Sequence, residues 1–222
     1  MDGIAMARRS LALLSIAMMS ATAASAQTTR VEPSRWRIGA STGAWVPFSS
    51  LIRAADSDDT RLAAGPAFVM EPQYIASSAV AIYANVSMAF GAVSLGSSIR
   101  PAVVGPSSQV VLAASTAGLM LAPVGWLGDY VQPTIRLGGG FKWYAFDLTD
   151  AQNQVRPTAD IGLGFRGTGI GAIEVTAEVR YLPSSFDQSK LPTRGIAPQD
   201  QRQNDLVFSV GFGIRPPASR EN

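Results

Sequence analysis

Between Ile173 and Tyr181 the chain reads Ile-Glu-Val-Thr-Ala-Glu-Val-Arg-Tyr. The odd positions, Ile173, Val175, Ala177, Val179 and Tyr181, are apolar or aromatic. The even positions, Glu174, Thr176, Glu178 and Arg180, are polar or charged. Period two places one set on each face of a β-strand; on a helix the same charges would fall on every side. A chain built from such segments is constrained by what each face meets.

Seven further segments read as strands, six of them with the same alternation. Residues 36–46 set Trp36, Ile38, Ala40, Thr42, Ala44 and Val46 against Arg37, Gly39, Ser41, Gly43 and Trp45. Residues 62–74 align Phe68, Met70 and Tyr74 opposite Glu71 and Gln73, although Pro66 and Pro72 each remove a ladder donor. The others are 79–90, 109–122, 131–144, 158–166 and 205–214. Stretch 109–122 is apolar on both faces, so alternation assigns it no facing. The polar links 47–61, 91–108, 147–154 and 183–204 read as long loops, and 75–78, 123–130 and 167–172 as shorter turns. Strands near or above the roughly 9–11 residues that cross a bilayer at a tilt, joined by alternately long and short connections, predict one architecture. It is all-β, an eight-stranded antiparallel up-and-down transmembrane β-barrel.

The first 26 residues read as a cleaved signal peptide. Arg8 and Arg9 precede an apolar run over 11–24, too short for the roughly 20 residues of a spanning helix, and Ala24-Ser25-Ala26 is an A-x-A cleavage site. Residues 27–35 then form a lead-in, 36–215 the barrel and 216–222 a tail. The charged fraction is 15%, against about 25% in ordinary soluble domains. The formal net charge of +2 gives no electrostatic case for nucleic acid.

A soluble exported β-domain would also alternate, with its charged face in water. Three features favour lipid on the apolar face. Glycines crowd the opposite face: Gly39, Gly43, Gly138, Gly140, Gly162, Gly164, Gly211 and Gly213. That suits the interior of an eight-stranded barrel, which is just wide enough for side chains. Amphipathic rings, Tyr83 excepted, cluster at strand ends or in a turn, as an interfacial girdle would: Trp36, Trp45, Tyr74, Trp126, Tyr130, Trp143, Tyr144 and Tyr181. The loop-length asymmetry is the third. On this reading Arg37, Glu71, Arg136, Lys142, Asp160, Arg166, Glu174, Glu178 and Arg180 point into the lumen. They must pair there, since isolated buried charges are costly. They form either a salt-bridged plug or the filter of a narrow solute pathway.

With its signal peptide, its opening strand at 36–46 and its closing strand at 206–214, the chain resembles the small eight-stranded outer-membrane barrels of Gram-negative bacteria. These are the OmpA-type transmembrane domain and the OmpX and OmpW groups. The resemblance lies in pattern across the mature chain. It implies an outer-membrane location with periplasmic termini, contact with outer-membrane lipid and lipopolysaccharide, insertion by the outer-membrane assembly machinery, and a monomer. Members usually end on an aromatic residue; here Phe212 holds the aromatic row and residues 215–222 follow the last strand.

The composition contains no cysteine and no histidine. Disulfides and sites built on thiolate or imidazole are therefore excluded, as is the usual proton shuttle near neutral pH. The enzymatic outer-membrane barrels look to histidine, so no enzyme and no cofactor is expected. Asp56, Asp58 and Asp59 could offer oxygen to Ca²⁺, but they lack the spaced ligand pattern and read as a solvated loop. Gly162-Leu-Gly-Phe-Arg-Gly167 matches G-x-G-x-x-G, yet it falls inside an alternating strand where a dinucleotide site needs a helix to follow. The leading expectation is a structural or surface-interaction role with the lumen plugged by charge. A narrow porin or transporter, or a soluble periplasmic binding domain, are the alternatives.

Overall fold

A computed structural model describes residues 34–52, 60–94, 109–122, 131–147, 151–168, 173–191 and 200–216. The signal segment, the 217–222 end, Asp56, Asp58, Asp59, Trp126 and Tyr130 lie outside the described residues.

Eight long strands form the wall: β1 (Trp36–Pro47), β2 (Gly65–Ile75), β3 (Val80–Ser94), β4 (Gln109–Leu121), β5 (Val131–Asp147), β6 (Gln154–Thr168), β7 (Ile173–Asp187) and β8 (Asp200–Ile214). Each pairs antiparallel with its neighbours in sequence, and β1 pairs with β8, so the sheet closes on itself. Two short ladder segments, Ser50–Ile52 and Thr60–Leu62, extend the sheet beyond β3. Closure leaves no unpaired edge in the barrel wall, the condition for strands to cross hydrocarbon.

The sequence alternation maps directly onto the two faces. Along β6, Ile161, Leu163 and Phe165 are exposed, while Asp160, Gly162, Gly164 and Arg166 between them are buried. Leu163, 65% exposed, is the most exposed large apolar side chain among the described residues. Apolar groups outside and charges inside invert a soluble protein and match a barrel in lipid. Stretch 109–121 is resolved as well. Val110, Leu112, Ala114, Thr116 and Met120 face inward, and Val111, Ala113, Ser115, Ala117 and Leu119 outward.

The prolines lie where the wall tolerates them. Pro72 faces outward in β2, and the β2–β3 ladder skips from Met70↔Val86 to Gln73↔Tyr83 without changing register. Pro183 is likewise passed over between Thr158↔Ser184 and Ile161↔Tyr181.

Strand limits differ from the sequence reading at one rim. β6 begins at Gln154, β7 runs on to Asp187 and β8 starts at Asp200. Much of the expected 183–204 loop is therefore ladder, from Asp200↔Asp187 to Asn204↔Pro183. Fifteen residues of strand extend about 50 Å, whereas a tilted crossing takes about 10 residues. The surplus projects past the apolar band, and its outward residues turn polar: Ser185, Asp187, Asp200, Arg202 and Asn204.

Two substitutions separate lipid from water outside the wall. Leu163→Arg should lower stability by about 2–4 kcal/mol, while Ser185→Arg above the band should change it by about 0–1 kcal/mol. Urea unfolding from phospholipid bilayers measures both; equal effects would contradict a hydrocarbon environment at Leu163.

Candidate functional site

The lumen contains two layers with different chemistry. Toward the rim at which β1 begins and β8 ends, the side chains are ionic. Arg136 on β5 is the hub. Its Nη2 donates to Glu71 Oε2 at 2.5 Å and its Nη1 to Glu178 Oε2 at 2.7 Å, and Asp160 lies 3.5 Å away. Its guanidinium also lies over the Tyr83 ring, 4.0 Å from the centroid. Asp160 on β6 accepts from Arg180 Nη2 at 2.8 Å, Arg180 Nε at 3.1 Å, Thr116 Oγ1 at 2.6 Å and Tyr83 Oη at 3.1 Å. Glu71 takes further bonds from Asn85 at 3.1 Å and from Gln73. Nearer the rim, Arg37, Arg166 and Arg215 gather on Glu174. Residues of β2, β3, β4, β5, β6 and β7 thus meet across one narrow interior.

Glycine provides the room. A Cβ on Gly162 would stand 2.6 Å from Arg136 Cδ, and one on Gly213 would overlap the Arg37 guanidinium. At Gly162 and Gly213 the missing Cβ is the space into which an arginine of the neighbouring strand lies, while Gly138 makes room for the Tyr83 hydroxyl and Gly164 for Glu178 and Thr134.

Toward the other rim the lumen is mostly apolar. Trp45, Leu62, Val69, Val110, Leu112, Tyr144, Leu182, Phe186 and Val207 form one buried cluster. Phe186 meets Tyr144 edge-on at 5.2 Å. A buried ion pair lies within it: Lys142 Nζ donates to Asp205 Oδ2 at 2.9 Å and to the Leu182 carbonyl at 3.1 Å. Trp45 Nε1 and Gln203 Nε2 donate to the same carboxylate at 2.7 and 2.8 Å.

Beyond the band, Arg156 bridges Asp187 at 3.2 Å and Asp200 at 3.3 Å, and Lys190 donates to Gln152 at 2.9 Å. Hydrogen bonds from the Ser189 hydroxyl and backbone hold the exposed Asp187 carboxyl below its ordinary pKa.

All nine charges expected in the lumen face inward: Arg37, Glu71, Arg136, Asp160, Arg166, Glu174, Glu178 and Arg180 meet in the ionic layer, and Lys142 stands apart in the apolar one. Two girdle assignments are corrected. Trp45 and Tyr144 are fully buried in the lumen. Alternation fixes this, because Trp45 shares parity with Arg37 and Tyr144 with Lys142; position near a strand end does not override the face. Trp36 and Tyr74 do pair on the outer surface at one rim, ring centroids 5.3 Å apart. Trp143 faces outward, and half-buried Tyr181 bonds Asn204 at 2.8 Å where the outer surface turns polar. Asp205 is the partner that sequence reading missed. Its parity with Val207 and Ser209 was the available signal. The G-x-G-x-x-G run lies within β6, and the next described element is the strand β7.

No protein-family model matches the chain, and no curated protein matches it. Solved structures do. The outer membrane protein OprG from Pseudomonas aeruginosa superposes with a TM-score of 0.60 at 14% identity, over 84% of this chain and 98% of that one. Neisserial surface protein A gives 0.55 at 13% identity, over 82% and 98%. The outer membrane protein AlkL, determined in lipid bilayers, gives 0.51 at 14% identity, over 90% and 98%. The fold is that of the small eight-stranded outer-membrane barrels.

Removing one member of the ionic layer leaves the others buried and unpaired. Asp160→Ala should destabilise the barrel by about 3–5 kcal/mol. Gly162→Ala, which presses on the Arg136 stem, should cost about 1–3 kcal/mol. Denaturant midpoints of the refolded barrel read both, and a neutral Asp160→Ala would show that the network does not hold the wall.

Proposed function

We propose that this chain is a bacterial outer-membrane barrel with a structural or surface-interaction role, its lumen closed by its own side chains. The observation that carries the reading is the double occupancy of the interior. An ionic network spans one half, and fully buried Trp45, Tyr144, Leu182 and Phe186 fill the other. A pathway for polar solutes would need to part the apolar cluster and the Lys142–Asp205 pair within it. The chain ends then face the periplasm, and the raised ends of β6, β7 and β8 stand outside the cell. Their polar residues, with Arg156, Asp187 and Asp200 at the centre, form the surface available to partners. The wall contacts outer-membrane lipid and lipopolysaccharide as a monomer, and the outer-membrane assembly machinery inserts it. The reading involves no catalysis: the sequence has neither histidine nor cysteine, and the buried carboxylates are engaged by arginine or lysine.

The closed lumen is tested by planar-bilayer recording and liposome swelling. Wild-type protein that shows heat-modifiable gel mobility should give no steady current and no sugar-dependent swelling. Glu178→Ala should lower stability far more than it changes conductance. Large, steady currents from that variant would establish the solute-pathway reading in its place.

A further inference from the structure

At the rim where β1 begins and β8 ends, three guanidinium groups converge on one carboxylate. Arg37 Nε lies 2.8 Å from Glu174 Oε2, Arg215 Nη2 2.8 Å from Oε1, and Arg166 Nε 3.5 Å from Oε2. The carboxylates farther in are already engaged. Glu71 and Glu178 are bound by Arg136, and Asp160 by Arg180. Among the described residues of this half of the lumen, Arg37, Arg136, Arg166, Arg180 and Arg215 therefore face Glu71, Asp160, Glu174 and Glu178. One positive charge is left over, at the Glu174 end. Arg37 Nη2, Arg166 Nε and Arg215 Nε are buried and find no hydrogen-bond acceptor. Arg166 itself is 8% exposed.

A cavity of about 250 Å³ opens beside this cluster. Arg166, Arg215, Gln132, Ser77 and Ser78 line its polar side and Met120 part of its apolar side, and no carboxylate lines it. Gln132 has only a 3.5 Å bond, to the Ser78 carbonyl, occupying its amide nitrogen. Ser77 Oγ accepts from the backbone of Ala79 and Val80, which leaves its proton free to donate. Arg166 Nη2 donates to Gln73 Oε1 at 2.7 Å and Arg215 Nη2 reaches Glu174, and the remaining donors of these two guanidinium groups, with a hydroxyl and an amide, border one small space that no carboxylate lines.

We propose that this cavity binds a phosphate group. Donors approach from several strands and turns, an arrangement that suits a tetrahedral oxyanion with acceptors on every side. Guanidinium forks are the side chains that match phosphate geometry. The group is either free phosphate or the phosphodiester of a lipid headgroup, whose glycerol would meet the apolar half of the lining.

The test uses the refolded full barrel in zwitterionic detergent, at an ionic strength fixed with chloride. Isothermal titration is run with inorganic phosphate and, separately, with glycerophosphoglycerol. One saturable site per barrel is expected, weakened about tenfold or more in Arg215→Gln and unchanged in Asp147→Asn at the opposite rim. Binding of both probes with similar affinity assigns the site to free phosphate; binding of the diester with little binding of the inorganic ion assigns it to a headgroup. Arg215 lies at the barrel edge, so heat-modifiable mobility of Arg215→Gln should match wild type. Gln132→Leu is a second variant that keeps every charge and should weaken binding less. Absence of saturable heat with both probes, or equal affinity in Arg215→Gln and wild type, would overturn the proposal.

Discussion

An eight-stranded barrel encloses little more than the volume its own inward side chains occupy. In this protein that constraint sets nearly everything else. Once Arg37, Arg136, Arg166 and Arg180 point inward, each needs a carboxylate within reach, because neither lipid nor open water lies beside it. Glu71, Asp160, Glu174 and Glu178 answer from other strands. Arg136 and Arg37 each also need a neighbour without a Cβ, supplied by Gly162 and Gly213. Charge, partner and glycine are three parts of one packing solution.

The network also fixes register. A slip of one residue in β6 would turn Asp160 and Arg166 to lipid and bring Ile161 and Leu163 inside. The apolar layer guards the same register from the other end, where Lys142 and Asp205 bring charges on β5 and β8 together inside the cluster. The wall carries gaps in its ladder at Pro72 and Pro183 without losing alignment, since the pairing resumes in the same register on either side of each.

Much of this was legible in the sequence, since alternation depends only on the backbone period. The inward direction of nine charges follows from counting by twos, and the closed eight-stranded order from the strand lengths and the alternation of long and short connections. The failures have physical causes. Strand β4 gave no facing because its inward side chains Val110, Leu112 and Ala114 enter an apolar cluster, so both its faces are hydrophobic. The ladder continues to Asp187 and from Asp200 because strands projecting beyond hydrocarbon can be polar on both faces, which resembles loop composition. Trp45 and Tyr144 were placed at a girdle by position, although parity had already set them inside. Which carboxylate meets which arginine depends on strand stagger, and no periodicity records that.

Closure of the wall has a kinetic consequence. Trp45 and Asp205 are separated by 160 positions, and their bond joins the first strand to the last. Contacts so distant in sequence form only after most of the chain entropy has been surrendered, which makes them late and slow. The indole passes from an unstructured chain into a fully buried pocket beside a buried ion pair as that seam forms. With Trp36, Trp126 and Trp143 replaced by phenylalanine, its emission would report the moment at which an open curved sheet becomes a cylinder.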